Sequence, residues 1–279
     1  VFLSCGRFEC NIKGIAADEF PIIPTLADRA PSATFAPEAL CCAVGQVAFA
    51  AANDDTRPIL TGVRIALMDR VASFAAADSF RLTFRDIVLD KAVAQAQQVV
   101  VPARAMETLG KVMGDVEGEV EMLIDAGDRV LFRAEGVELV SRAIDGRYPD
   151  IGKYLGLTFA TVLTIDTKAL AKAVKLASFF AVASSNIIRL ELTPAANGKG
   201  TLTLSANAAE VGNNQSIHDA AICGMGGTVA LNVRFLADGI DAITTPTVAI
   251  HLNSAQQPVV LRGVGDETYA YVAMPMTVR

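Results

Sequence analysis

Tryptophan is absent from the 279 residues, and aromatic content reaches only 6%, so Ala, Val, Ile and Leu must fill most of the interior. Histidine is scarce: His218 and His251 are the only two. They lie far apart, both within strand-like segments, and read as ordinary strand residues rather than an acid–base or metal pair. No Ser-centred elbow, HExxH or P-loop motif occurs. The loop Gly224-Met225-Gly226-Gly227 lacks the strand–turn–helix context and later acidic partner of a dinucleotide site. No apolar run reaches the roughly 20 residues of a membrane span; Leu170 to Ala183 is interrupted by Lys172 and Lys175. A signal-peptide pattern is missing too, which makes the cytoplasm the expected location.

An excess of basic charge is also lacking. Twenty-four Lys and Arg stand against 30 Asp and Glu, a net charge of −6. That excludes a surface coated in cations but leaves room for a local basic stripe. The five cysteines, Cys5, Cys10, Cys41, Cys42 and Cys223, are odd in number and lack metal-ligand spacing. Cys41 and Cys42 are adjacent on an expected helix, which suits neither a relaxed disulfide nor a tetrahedral zinc pair. All five are expected to be reduced, mostly in the core. No cofactor and no metal site is expected.

What is present is a repeat. Ala39-Leu40 and Ala43-Val44 recur 130 residues later as Ala169-Leu170 and Ala173-Val174, and Phe49 as Phe179. At the same offset Leu60 falls on Leu190, Val101 to Arg104 on Leu231 to Arg234, and Val130-Leu131 on Val260-Leu261. Two copies of one fold, each about 125 residues, are of ordinary domain size. The spacing predicts, in each copy, a helix, alternating strands, a second helix and further strands. Pro37 opens the first helix, with Leu40, Val44 and Val47 on its apolar side. Strands follow at Val63 to Leu67 and Phe80 to Phe84. Pro102 opens the second helix, which buries Met106, Leu109 and Met113, and strands at 120–124, 130–132 and 137–139 complete the copy. In the second copy Asp166 caps a helix through Leu170, Val174 and Ala177, with strands at 189–192, 201–205 and 220–223. A second helix over 233–243 precedes strands at 248–252, 259–262 and 269–274. The segments 197–200 and 224–227 read as turns. Two helices on antiparallel sheets per copy define an α+β fold.

Residues 1–21 resemble 130–149: a hairpin, then a run ending in aromatic-Pro (Phe20-Pro21 against Tyr148-Pro149). This suggests the last hairpin of an earlier repeat.

Cations gather on the helices. Lys168, Lys172 and Lys175 are spaced to share one helix face, and Arg104 and Arg234 are equivalent positions, with Lys111 two turns beyond Arg104. Such groups without aromatic stacking platforms suit sequence-independent phosphate contact. The first helix of the first copy carries only Glu38. Asp54-Asp55 and the Asp145/Asp150 pair flank turns, where Asp bonds its own backbone, rather than forming a metal cluster. Asp78 and Arg81 read as an ion pair or turn lock, not a catalytic pair. Met274-Pro275-Met276 at the end of a strand offers adaptable apolar side chains to a ligand.

Together, the segments Asp54 to Gly62, Asp78 to Leu82, Asp145 to Asp150 and Tyr271 to Met276 closely resemble the bacterial DNA polymerase III beta subunit, the sliding-clamp family. Gly6-Arg7-Phe8 and Phe20-Pro21 look like the end of that family's first domain. The resemblance covers the whole chain in order and implies tandem DNA-clamp domains. Residues 1–27 are then a remnant of a first domain plus linker, 28–152 a middle domain and 153–279 a C-terminal domain. It further implies no enzymatic activity, a ring closed head to tail by a homo-oligomer when full length, and helices lining a channel for duplex DNA. Arg104, Lys111, Lys168, Lys172, Lys175 and Arg234 are the candidates to face it.

The family also receives a short linear peptide from DNA polymerase III, clamp-loader and repair proteins, in a pocket between its second and third domains. Its wall here is expected from Leu60, Ala77, Ser79, Phe80, Leu82, Pro149, Lys153, Tyr154, Pro258, Val272, Met274, Pro275 and Met276. Lys153-Tyr154 replaces a frequent Arg-aliphatic pair, and Thr277-Val278-Arg279 the usual basic-apolar ending. A different class of function for the same residues is a truncated clamp that docks peptides without encircling DNA.

Overall fold

The computed structural model describes residues 1–20, 29–54, 56–114, 116–125 and 128–277. Pro21, Asp55, Val278 and Arg279, which figure in the motifs above, lie outside the described residues, as does most of the linker expected before residue 28. The strands and helices run in the order β1 (Phe2–Cys5), β2 (Phe8–Asn11), β3 (Ala33–Phe35), α1 (Pro37–Val47), β4 (Gly62–Met68), β5 (Val71–Ala77), β6 (Arg81–Val88), β7 (Gln97–Pro102), α2 (Ala103–Val112), β8 (Val120–Asp125), β9 (Arg129–Ala134), β10 (Val137–Arg142) and the short α3 (Gly152–Leu155). There follow β11 (Thr161–Asp166), α4 (Thr167–Val182), β12 (Ile187–Pro194), β13 (Lys199–Ala208), β14 (Gly212–Cys223), β15 (Gly227–Asn232), α5 (Val233–Asp241), β16 (Thr247–Leu252), β17 (Val259–Gly263) and β18 (Tyr269–Ala273).

Local chemistry sets the helix starts. Pro37 occupies the first turn of α1, where a missing N–H costs nothing. The Asp166 carboxylate accepts from the Ala169 N–H at 2.8 Å, and the Asn232 side chain accepts from Arg234 and Phe235 at the start of α5. The expected apolar faces are buried: Leu40, Val44 and Val47 on α1, Met106 and Leu109 on α2 with Met113 just beyond it, and Leu170, Val174 and Ala177 on α4. Each large side chain so buried contributes roughly 1.5–3 kcal/mol. The alternation Val63, Ile65, Leu67 on β4 also faces inward.

Two apolar cores result. One joins α1 and α2 to the strands of residues 33–139, and the other joins α4 and α5 to the strands of residues 163–273; the Phe49 ring packs against both. β3, β8, β9 and β10 form a four-stranded sheet. A twelve-stranded sheet in the order β15-β12-β13-β14-β11-β16-β17-β18-β6-β5-β4-β7 runs through both units. The join is the antiparallel pairing of β18 with β6, from Tyr269 opposite Arg85 to Ala273 opposite Arg81. Enclosed by β17 and β6, β18 is buried at every residue, so its sequence alternation carries no sign of an exposed face.

The structure corrects several expectations. Leu60 does not match Leu190. Arg64 pairs opposite Val100 and Arg189 opposite Ala230, so Arg64 matches Arg189 and the offset shortens by five there, because the first copy has a longer connection from α1 to β4. The cysteines are not mostly core: Cys5, Cys42 and Cys223 are exposed and Cys10 and Cys41 half-buried, because the β1–β2 hairpin has no buried residue and Cys42 and Cys223 point away from the sides that bury Ala43 and Ile222. Cys41 packs against the first core, with its Sγ 3.5 Å from the Gly110 carbonyl. β3, β5, β7, β11 and β15 were not expected, and β14 begins at Gly212 rather than 220. Gly227 and Lys199 open strands instead of lying in turns. The short Ala-rich or Gln-rich segments behind β5 and β7 carry little alternation; sheet neighbours on both sides make them strands.

Candidate functional site

The seam between the two units is built around β6 and β18. Arg81 is its hub and is only 8% exposed. Its Nε donates to Asp78 Oδ2 at 3.0 Å within the same turn, its Nη1 to Asp238 Oδ2 on α5 at 2.5 Å, and its Nη2 to the Phe49 carbonyl at 2.9 Å. The guanidinium carbon also lies 5.5 Å from the Phe49 ring centre and 4.6 Å from that of Phe235. Such fork-like bonding over aromatic faces is available to Arg and not to Lys. The Asp78–Arg81 ion pair was legible in sequence. Asp238 and Phe235, more than 150 residues away, were not, because no local signal announces a partner across a domain join.

Around this hub, Phe49 stacks on Tyr271 with ring centres 6.0 Å apart, and the Tyr271 hydroxyl donates to the Phe235 carbonyl at 2.8 Å. Gly239 on α5 allows that ring to lie close: a Cβ there would meet its edge at 2.5 Å. Buried Gln46 donates from Nε2 to the Ala242 carbonyl at 2.8 Å. Further along, Arg85 Nη1 reaches Asp266 Oδ2 at 2.5 Å. Burial works to raise the Asp266 carboxyl, but hydrogen bonds from Thr268 and Arg85 outweigh it and hold the group below its usual 3.8. A depressed folded value means this contribution is present above pH 3.8 and lost as pH falls through the folded value. The melting temperature of wild type is therefore expected to exceed that of Asp266→Asn at pH 7, with the gap closing below about pH 4. A gap of constant size down to pH 2.5 would show that the ionised carboxylate is not what stabilises the join.

An apolar cluster lies on the other face of the same strands. It contains Leu60, Leu82 and Val272, with Tyr148, Ile151 and Val260, and the half-buried Ala77 and Tyr154 pack against it. Five of the expected wall residues, Leu60, Ala77, Leu82, Tyr154 and Val272, are thus brought together. A cleft of about 430 Å³ lined by Arg64, Phe84, Asp86, Pro149 and Ile151 opens beside this cluster. Ser79 and Phe80 form the exposed tip of the β5–β6 turn, tied by Asp78, which accepts from the Phe80 N–H at 2.7 Å. The Phe80 ring is 59% exposed and stacks on Phe235 at 6.3 Å. Its carbonyl accepts from Met274 N at 2.8 Å, which sets Met274 beside the rim. Lys153 holds its ammonium 4.9 Å over the Tyr154 ring, and Pro258 leads into β17. Pro275 and Met276 depart from the expected single wall: they line a separate cleft of about 300 Å³ with Arg189, Val229 and Ala230. The cause is the Met276 N–H, which donates to the Ala230 carbonyl at 2.8 Å and lays the tail along the edge of β15.

All six expected phosphate-facing cations, Arg104, Lys111, Lys168, Lys172, Lys175 and Arg234, are exposed on α2, α4 and α5, and none forms an ion pair among the described residues. α1 packs on α2 and α4 on α5. The residues weighed for other chemistry have structural partners. His218 Nε2 is 2.9 Å from Ser216 Oγ, and His251 lies against the Phe159 ring. Asp54 and Asp150 accept from the N–H groups of Thr56 and Gly152. Among the described residues no helix is long and apolar enough to cross a membrane.

Tandem α+β units fused through one continuous sheet, with cationic helices and an apolar seam, define a scaffold of the DNA-clamp class. Comparison with known proteins agrees. The model of the DNA polymerase III beta subunit central domain matches residues 34–150, and that of its C-terminal domain residues 156–277. A beta sliding clamp of Synechococcus elongatus is 34% identical over 99% of this chain and 73% of its own length. One from Staphylococcus aureus is 27% identical over 98% of this chain and 71% of its own. Among solved structures, the Bacillus subtilis DNA polymerase sliding clamp superposes with a TM-score of 0.90 at 26% identity, covering 100% of this chain and 72% of that one. The chain belongs to the DNA polymerase III beta subunit family, the beta sliding clamps, and its function is that of a sliding clamp in DNA replication.

Proposed function

We propose that this chain, without catalysing a reaction, encircles duplex DNA in the cytoplasm and tethers the replicative polymerase and clamp-loader subunits through a linear peptide. Arg104, Lys111, Lys168, Lys172, Lys175 and Arg234 face the phosphates. The thirteen residues from Leu60 to Met276 named above receive the peptide across two clefts, with Leu82 and Met274 against its apolar anchor and Pro275 and Met276 along its continuation. Residues 28–152 and 153–279 act as middle and C-terminal clamp domains. Residues 1–27 carry the closing hairpin of another: β1 and β2 turn at Gly6-Arg7 as β9 and β10 turn at Glu135-Gly136, with Cys5 opposite Phe8 and Ala134 opposite Val137.

The observation that carries the encircling role is an unfinished copy of the internal join. Phe49, at the position matching Phe179, is covered by Tyr271 of the following unit, while Phe179 itself is 67% exposed. Leu176, matching the buried Gln46, and nearby Val182 are exposed as well. β6 is paired along Arg81–Arg85 by β18, whereas among the described residues β14 has no partner on that edge before Ala221. An unpaired strand beside an apolar helix face suits one more unit of the same kind. A homo-oligomer closed this way holds DNA by topology, so weak, salt-sensitive contact suffices.

The test is retention on nicked circular DNA after loading, followed by release on linearisation. Replacing Lys168, Lys172 and Lys175 together by Ala should lower DNA affinity about tenfold at low salt and flatten its salt dependence by roughly two to three counterions. An unchanged salt slope would remove α4 from the DNA face. Equal retention on circular and linear DNA would leave only the peptide-docking role.

A further inference from the structure

Arg64 and Arg189 are the same position of the two units, but their surroundings differ. Arg64 Nε donates to Gln98 Oε1 at 3.1 Å. The position matching Gln98 is Thr228, whose side chain is too short to reach across, and Arg189 has no hydrogen-bond or ion-pair partner among the described residues. Its neighbour on the same strand face, Glu191, makes no ion pair with it either. Arg189 thus stands as an exposed, unmatched cation.

Its position adjoins the docking seam. Ala230, opposite Arg189 in the sheet, accepts the Met276 N–H, so Met276 lies two strand spacings away, about 10 Å. Arg189 lines both the cleft that holds Pro275 and Met276 and a second cleft of about 530 Å³. The second cleft is polar where the seam is apolar, lined by Ser205, Asn207, Asn213 and Gln215. Asn214 Oδ1 is buried there without a hydrogen-bond partner among the described residues. A peptide anchored against Leu82 and Met274 that continues past Met276 therefore leaves apolar surface and meets a guanidinium, then amides and hydroxyls.

We propose that Arg189 recognises an acidic side chain of the docked peptide, outside its apolar anchor. This rests on the docking function proposed above. A planar guanidinium with no hydrogen-bond or ion-pair partner among the described residues can take a carboxylate through paired N–H donors.

Two short synthetic peptides test it, each with a Leu-Phe anchor and with either Glu or Gln on both flanks, titrated by fluorescence anisotropy at low salt. Wild type should prefer the Glu peptide about threefold to fivefold, the range of an exposed ion pair, and lose the preference at high salt. Arg189→Gln should abolish the preference while keeping the affinity for the Gln peptide. Lys91→Gln, an exposed charge on a distant loop, should retain it. A preference that survives in Arg189→Gln, or is absent from wild type, overturns the assignment of Arg189 alone. If Met274→Asp leaves the Gln peptide bound as tightly as before, the docking seam is wrong; if wild type binds neither peptide, both proposals fall.

Discussion

Replacing Arg81 by Met is expected to destabilise the chain by about 3 kcal/mol, within the cost of removing one member of a largely buried ion pair. The substitution keeps an unbranched apolar stem but leaves Asp78 and Asp238 without their common cation, and the Phe49 carbonyl without that donor. Asp78 is mostly enclosed while Asp238 is nearly half open to water, so most of the loss should come from Asp78 and the carbonyl. Denaturant unfolding measures it. Asp238→Asn separates the terms, because it retains an acceptor at a wetter position and should cost no more than about 1 kcal/mol. Arg81→Met within 0.5 kcal/mol of wild type would show that β6–β18 pairing and the Phe49–Tyr271 stack hold the units together without the hub.

The second large effect concerns the rim. Met274→Asp should weaken binding of a polymerase-tail peptide by at least tenfold, because it sets an unpaired carboxylate where an apolar anchor has to be desolvated. Met274 is half-buried, and its backbone N–H is already committed to Phe80, so the fold should survive with little change in unfolding free energy. Met274→Leu keeps apolar volume and should bind within about threefold of wild type. Unchanged affinity in Met274→Asp would place the peptide elsewhere. These two substitutions act on opposite sides of one pair of strands, so stability should move in the first and affinity in the second.

Much of the architecture was legible in the residue order. Helix periodicity placed α1, α2, α4 and α5 almost to the turn, because Pro37, Pro102 and Asp166 mark the first three starts and apolar spacing marks the faces; the Asn232 cap of α5 came only with the structure. Strands with clean alternation, such as β4, were equally plain. β5 and β7 were not, since a strand lodged between two neighbours draws its conformation from them rather than from its own pattern. The thirteen expected wall residues divided along a similar line. Ala77, Leu82 and Val272 meet because they sit on neighbouring strands, and Leu60, from the turn before β4, and Tyr154, from α3, pack against them. Pro275 and Met276 went to a different cleft, because one backbone hydrogen bond to Ala230 steers the tail.

By itself the sequence determined that there are two units of one kind, which side of each helix is apolar, and where the cations stand. Those properties follow from period and spacing along a single segment. Only the tertiary structure decided that Arg81 spans both units, that Gln46 and Phe49 are covered while Leu176 and Phe179 are bare, and that Arg189 lacks, among the described residues, a partner like the one Arg64 has. Each depends on which strand lies beside which, and that is set by contacts between segments more than a hundred residues apart, of which local pattern keeps no trace.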